Sequence, residues 1–102
     1  MDYLKVWYRC WKGRRYGNKV ADLLGIHRGL YHGAMEEGGC EMHLLKLWAL
    51  QEAGESIERV ALHSCQYLSL GLISLRKRFG ARPLIEDARG RVNVFLDGVE
   101  HG

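Results

Sequence analysis

Residues 17 to 36 constrain the fold of this chain more than any other stretch. Ala21 is followed four residues later by Gly25, and Tyr31 comes six residues after that. This is the spacing of two short helices that meet at a tight turn. A small side chain at position 21 lets the helices touch, and glycine at 25 accepts the left-handed backbone of the turn. Val20, Leu24, Ile26, Tyr31 and Ala34 then fall where they face a core. Asn18 is a suitable N-cap for a helix over 19–24. A second helix follows over about 28–36, and Gly38-Gly39 stops it.

Upstream, Leu4, Trp7, Tyr8 and Trp11 recur at helical spacing, so residues 2 to 12 read as an amphipathic helix with Trp7 and Trp11 in the core. Gly13 ends it, and Arg14 to Gly17 form a basic linker. Downstream, residues 41 to 53 are apolar over most of a helical circumference, which marks a central buried helix. Ser56 caps a helix over 57–64. Residues 63 to 66 either turn or continue, and 67 to 79 are helical again. The run Arg76-Lys77-Arg78 suits a helix C-terminus, and Gly80 with Pro83 closes the helical part. After that, Leu84-Ile85 and Val92 to Leu96 read as two short strands around Asp87 to Gly90. The expected fold is therefore mainly α: one domain over 1–102, a bundle of about five helices over 2–80, and a C-terminal β-hairpin over 84–97.

Length and composition agree with this. The chain has 102 residues, 47% of them apolar and 26% charged, the profile of a single soluble globular domain. No apolar run approaches the roughly 20 residues of a membrane span. Asp2 and the aromatic cluster after it argue against a signal peptide. An odd number of scattered cysteines argues against a disulfide scaffold and for a cytoplasmic location.

Charge is distributed in blocks. Residues 1 to 32 carry a net +5, residues 33 to 58 a net −5, and residues 59 to 82 a net +5. Basic blocks that converge in space would make a face for polyanions. If they do not converge, the acidic block neutralises them inside the fold or across a dimer.

The 17–36 unit resembles a DNA-binding helix-turn-helix. The resemblance implies that the second helix enters the major groove with His27, Arg28, Gly29 and His32 near base edges. Arg28 would address guanine, while Lys19, Arg14 and Arg15 would hold phosphates. Leu44 to Phe79 is similar to the last region of bacterial sigma factors, with Arg76, Lys77 and Arg78 on its recognition helix. Cys65, Gln66 and Gly71 depart from that pattern. Gly29 and Gly33 also suit close packing of another helix.

Cys40, His43, His63 and Cys65 are chemically suitable zinc ligands, but His63 and Cys65 would point to different sides of a helix, so no metal is expected. No phosphate-binding glycine loop, nucleophile elbow or metalloprotease motif is present, so no catalysis and no cofactor are expected. Tyr3, Trp7, Tyr8, Trp11 and Tyr16 interleave with Lys5, Arg9, Lys12, Arg14 and Arg15. Such mixtures stack on nucleotides or anchor protein interfaces. The leading expectation is a small DNA-binding transcriptional regulator, acting on double-stranded DNA as a homodimer without a membrane partner. The hairpin edge or the Trp-rich helix would supply the dimer surface. The alternative is a small inhibitor or adaptor that engages a partner protein through the basic–aromatic surface. An exposed apolar patch near Trp7 and Trp11 would favour the alternative.

Overall fold

A computed structural model describes residues 3–40, 42–80 and 82–101. It contains five helices: α1 (Tyr3–Leu24), α2 (Arg28–Glu37), α3 (His43–Glu52), α4 (Ile57–Phe79) and α5 (Arg82–His101). Helix α1 packs on α3, and α2 packs on α4. Helix α5 lies chiefly against α4, and α1 also touches α2, α4 and α5. The molecule measures 41 × 35 × 18 Å, so its short dimension is about two helix diameters.

Helix α1 runs unbroken through the positions where a stop at Gly13 and a linker over Arg14 to Gly17 were expected. A mid-helix glycine costs only about 0.5–1 kcal/mol. Here that cost is offset by contact between helices. A Cβ on Gly13 would collide with the Leu44 carbonyl oxygen of α3, and one on Gly17 would crowd His32 and Leu47. The inward side of α1 runs through Gly13, Gly17, Val20 and Leu24 at steps of four and three residues, and half-buried Cys10 and exposed Val6 continue the same line toward the N-terminus. That is the seam of a helix pair.

The same device joins α2 to α4. A Cβ on Gly71 would strike the Ala34 carbonyl oxygen, and one on Gly38 would strike that of Tyr67. By contrast, Gly29 meets only the ring of His27, and Gly33 has only ordinary contact with Leu75. The glycines that bring helices together are therefore not the pair the sequence singled out.

Helix α4 continues straight through residues 63–66. Val60, Ala61, Ser64, Cys65, Leu68, Gly71 and Leu72 are all buried, an unbroken helical stripe. The Ser64 hydroxyl donates to the Val60 carbonyl at 2.9 Å and also meets the Tyr31 hydroxyl at 2.9 Å. The Ser56 hydroxyl caps the helix by accepting from the Arg59 amide, as the sequence suggested. Helix α3 is less central than expected. Only His43 and Leu47 are buried on it, and Leu44, Leu45, Trp48 and Leu50 are half-buried.

The C-terminal β-hairpin over 84–97 is not formed: these residues belong to α5, and the described residues contain no strand. The alternation Val92, Val94, Leu96 misled, because a helix can host it too. Ile85, Ala88 and Val92 are buried at steps of three and four, Phe95 and Leu96 pack beside them, and Val94 is 72% exposed. Arg91 pairs with Asp87 one turn earlier at 3.1 Å, and Arg76 of α4 pairs with Glu86 at 3.0 Å. Pro83 sits in the first turn, where its missing N–H costs no helical bond.

Candidate functional site

The predicted turn between two helices forms, but the first helix is the end of the long α1 and not a separate 19–24 segment, so Asn18 lies mid-helix and is not an N-cap. Gly25 has φ +74°. Its amide donates to the Asp22 carbonyl at 3.1 Å, and the Ile26 amide donates to that of Ala21 at 2.9 Å. Val20, Ala21, Leu24, Ile26, Tyr31 and Ala34 all enter the core. Tyr31 is fully buried, and that burial pushes its hydroxyl pKa up to about 12.

The side chains meant to reach a groove are placed otherwise. The His27 ring accepts from the Leu30 amide and caps α2. Arg28 makes a two-pronged pair with Asp22, at 3.0 and 2.7 Å on the surface. That pair holds the Asp22 carboxyl below its usual range. His32 is only 5% exposed and faces inward. What α2 presents to solvent is Arg28, Gly29 and Glu36, with Gly33 half-buried beside them.

His32 instead joins three helices. Its Nε2–H donates to the Asn18 carboxamide oxygen of α1 at 3.0 Å, so its Nδ1 accepts from His43 Nε2–H of α3 at 3.1 Å. His43 Nδ1 lies 3.9 Å from Glu36. Burial, then the charge of Arg14, then His43 lower the His32 pKa to about 4. Burial also lowers that of His43, partly opposed by Glu36. Both rings are therefore neutral at pH 7, and the network is a polar clasp within the fold.

Two of the three cations at the end of α4 are paired with acids. Arg78 pairs with Glu37, whose other oxygen accepts from the Ser74 hydroxyl. Arg76 is turned to Glu86, and Lys77 is exposed. The turn that the second resemblance needs near Cys65 is absent, because α4 is continuous there. Lys19, Arg14 and Arg15 lie exposed on α1.

The cysteines are free, with Cys40 and Cys65 buried. Burial pushes the Cys65 thiol up to about 11 and raises that of Cys40. Cys40, His43 and His63 line one side of a cavity of about 190 Å³ between α2, α3 and α4. Among the described residues, no three His, Cys, Asp or Glu side chains are placed to hold a metal ion.

The most exposed apolar surface is on the first three turns of α1. Tyr3, Leu4, Trp7, Tyr8 and Trp11 all face solvent, with Trp7 66% and Trp11 42% exposed, so the expectation that these indoles are core does not hold. The reason is the seam described above: Gly13 meets the Leu44 backbone of α3, with Val6 and Cys10 on the same side lining the cavity beside α3, which turns the aromatic stripe outward. The stripe is ordered internally. The Trp7 and Trp11 rings lie nearly parallel, 6.4 Å apart. The Arg15 guanidinium sits 5.0 Å above the centre of Trp11, and Lys12 lies 5.8 Å from that of Tyr8. Arg9 is turned to the α3 side, 4.6 Å over Trp48. Sequence reasoning had the residues of this surface but assigned the wrong side of the helix to the core. The four-three spacing of small residues is the signal that locates the true inner side.

No helix among the described residues is long and apolar enough to cross a membrane. No protein-family model, curated protein or solved structure matches this chain.

Proposed function

We propose that this chain is a small non-catalytic docking module that attaches to a negatively charged partner through the basic–aromatic face of α1. One observation carries the reading: five large apolar and aromatic side chains stand exposed on one helical face, set among cations. Isolated exposed apolar residues are ordinary on a protein surface, but a contiguous patch marks an interaction site. Trp, Tyr and Arg are also the residues that contribute most per contact when a surface is covered.

The geometry supports this surface over a groove-reading α2. A recognition helix needs long donors at its outer positions. The outer face of α2 offers two glycines, an acid, and an arginine already paired with Asp22. Within the basic run at 76–78, Arg78 is taken up by Glu37 and Arg76 by Glu86. Pairing of two copies through the α1 face would bring cations toward cations with no acid on that face to compensate, which disfavours a second copy as the occupant.

A photo-reactive residue placed at Tyr8, and separately at Arg28, tests the reading in cells. Adducts are expected from position 8 and not from position 28. Adducts from position 28 alone, removed by nuclease, would return the function to groove reading by α2.

A further inference from the structure

We propose that the first three turns of α1 seat this protein on the surface of an anionic lipid membrane. This rests on the docking-face reading and names the occupant. The aromatic side of the helix enters the headgroup region, and the cations at its borders meet lipid phosphates.

Three observations choose lipid over protein or duplex DNA. The first is chemical. From Tyr3 to Gly17 the chain has no Ser, Thr, Asn, Gln, Asp or Glu. Protein and base recognition uses Arg, Lys and aromatic side chains together with amide, hydroxyl and carboxylate groups that fix register one by one. Apart from the hydroxyl and indole N–H tips of its aromatic rings, this segment has only aliphatic groups, a cysteine, glycines and cations, the equipment of a fluid, negatively charged interface.

The second is charge. Residues 3 to 21 hold six cations and no acid. Each Lys or Arg near an anionic leaflet contributes favourably, and an acid on the same face would be repelled. Lys5 and Lys12 border the aromatic arc on one side and Arg14 on the other, with Arg15 over Trp11 at its end. From there long side chains can reach outward while their stems lie along the rings.

The third is shape. The exposed rings stand on the outside of a single helix, and none of them lines the cavity that Val6 and Cys10 share with α3. Tyr and Trp have an apolar body and a polar tip, which suits the boundary between headgroups and acyl chains. Lying on a surface requires no spanning helix, so the absence of one is no obstacle.

The test uses the full chain and two kinds of vesicle: phosphatidylcholine alone, and equal parts of phosphatidylcholine and phosphatidylglycerol. Trp48→Phe removes the third indole, so that emission reports on Trp7 and Trp11. The chain is expected to sediment with the phosphatidylglycerol vesicles, with blue-shifted emission, and to bind phosphatidylcholine far more weakly. Binding should weaken as salt rises. Trp7→Ala with Trp11→Ala should weaken partitioning on the order of a hundredfold through lost apolar burial. Lys5→Gln with Lys12→Gln should weaken it about 30-fold, at roughly fivefold per cation. Circular dichroism verifies that each variant keeps its helices. No sedimentation with phosphatidylglycerol vesicles, or sedimentation unchanged in both double variants, overturns the inference. If vesicles fail while position 8 yields protease- or nuclease-sensitive adducts in cells, the docking face stands and its occupant is a protein or nucleic acid. If vesicles fail and position 8 yields no adduct, both proposals fall.

Discussion

Between Gly13 and Leu24, helix α1 buries almost everything it has on one side: two glycines, Tyr16, Val20, Ala21 and Leu24. Between Tyr3 and Trp11 the same continuous helix turns its largest side chains away from the protein. The first half is the more apolar of the two, yet it is the one left open, and both show helical periodicity. They differ in what lies opposite. In the second half, α2, α3 and α4 close around the helix, with the Tyr16 hydroxyl reaching the Glu55 carbonyl at 3.2 Å. In the first half, Val6 and Cys10 line a cavity shared with α3 and with Glu36 of α2, and the large aromatic side chains lie outside it. Size and hydrophobicity mark a residue as able to be buried, but the seam of small residues decides which face is.

The largest expected effect is at that seam. Gly13→Val would drive a branched side chain into the Leu44 carbonyl of α3. A backbone atom cannot rotate away as a side chain can, so the helices must separate. We expect a loss of about 3 kcal/mol or more, at the upper end for overpacking. For a chain of this length that is a fall in Tm of about 15 °C. Thermal and urea unfolding followed by circular dichroism would measure it. Stability equal to the parent would mean that α1 and α3 do not meet at this point, and the outward turn of the aromatics would lose its cause.

Much of this architecture could be read from residue spacing, and the exceptions have physical reasons. The turn at Gly25 was legible because a left-handed residue between two amphipathic segments has few other uses. The Ser56 cap was legible because the capping bond is local. Gly13 was misread because a glycine marks either a stop or a close approach, and only the Leu44 backbone across the gap distinguishes them. The stretch 84–97 was misread because Val92, Val94 and Leu96 satisfy a period of two while Ile85, Ala88, Val92 and Phe95 satisfy a helical one. The choice falls to the surface of α4 that receives the helical set. For the site, the aromatic and basic residues were visible as a mixture. Their outward direction was not, because it depends on α3.

The His32–His43 clasp gives the next effect, confined to the enclosed half of α1. His32→Ala leaves Asn18 and the His43 Nε2–H without their partner in a buried setting. We expect a loss of about 2–3 kcal/mol. The parent should also weaken in acid. With a folded-state pKa near 4 against the ordinary 6.5, folded His32 binds fewer protons than unfolded His32 between those limits. Stability therefore falls as pH drops from about 6.5 to about 4 and is flat above that range. Urea midpoints at pH 7.5 and pH 4.5 would reveal the slope, and His32→Ala should reduce it, leaving the share of His43, whose pKa burial also lowers. An unchanged slope in the variant would locate the acid sensitivity elsewhere.

The smallest expected effect is in the open half and completes the contrast. Trp7→Ala with Trp11→Ala removes two of the largest side chains in the protein, a change that would cost about 3–5 kcal/mol per residue in a core. Here the rings touch chiefly each other, Tyr8 and Arg15. The variant should unfold within about 0.5 kcal/mol of the parent per site, the range of surface substitutions. Alanine's higher helix propensity offsets part of the lost stacking. The urea midpoint and slope together decide the outcome. A loss of several kcal/mol would show that the indoles are enclosed after all, and the exposed face on which both proposals rest would not exist. An unchanged midpoint would mean that the two largest residues of α1 contribute almost nothing to the fold. Their place on an open face then fits a role in contact with something outside it.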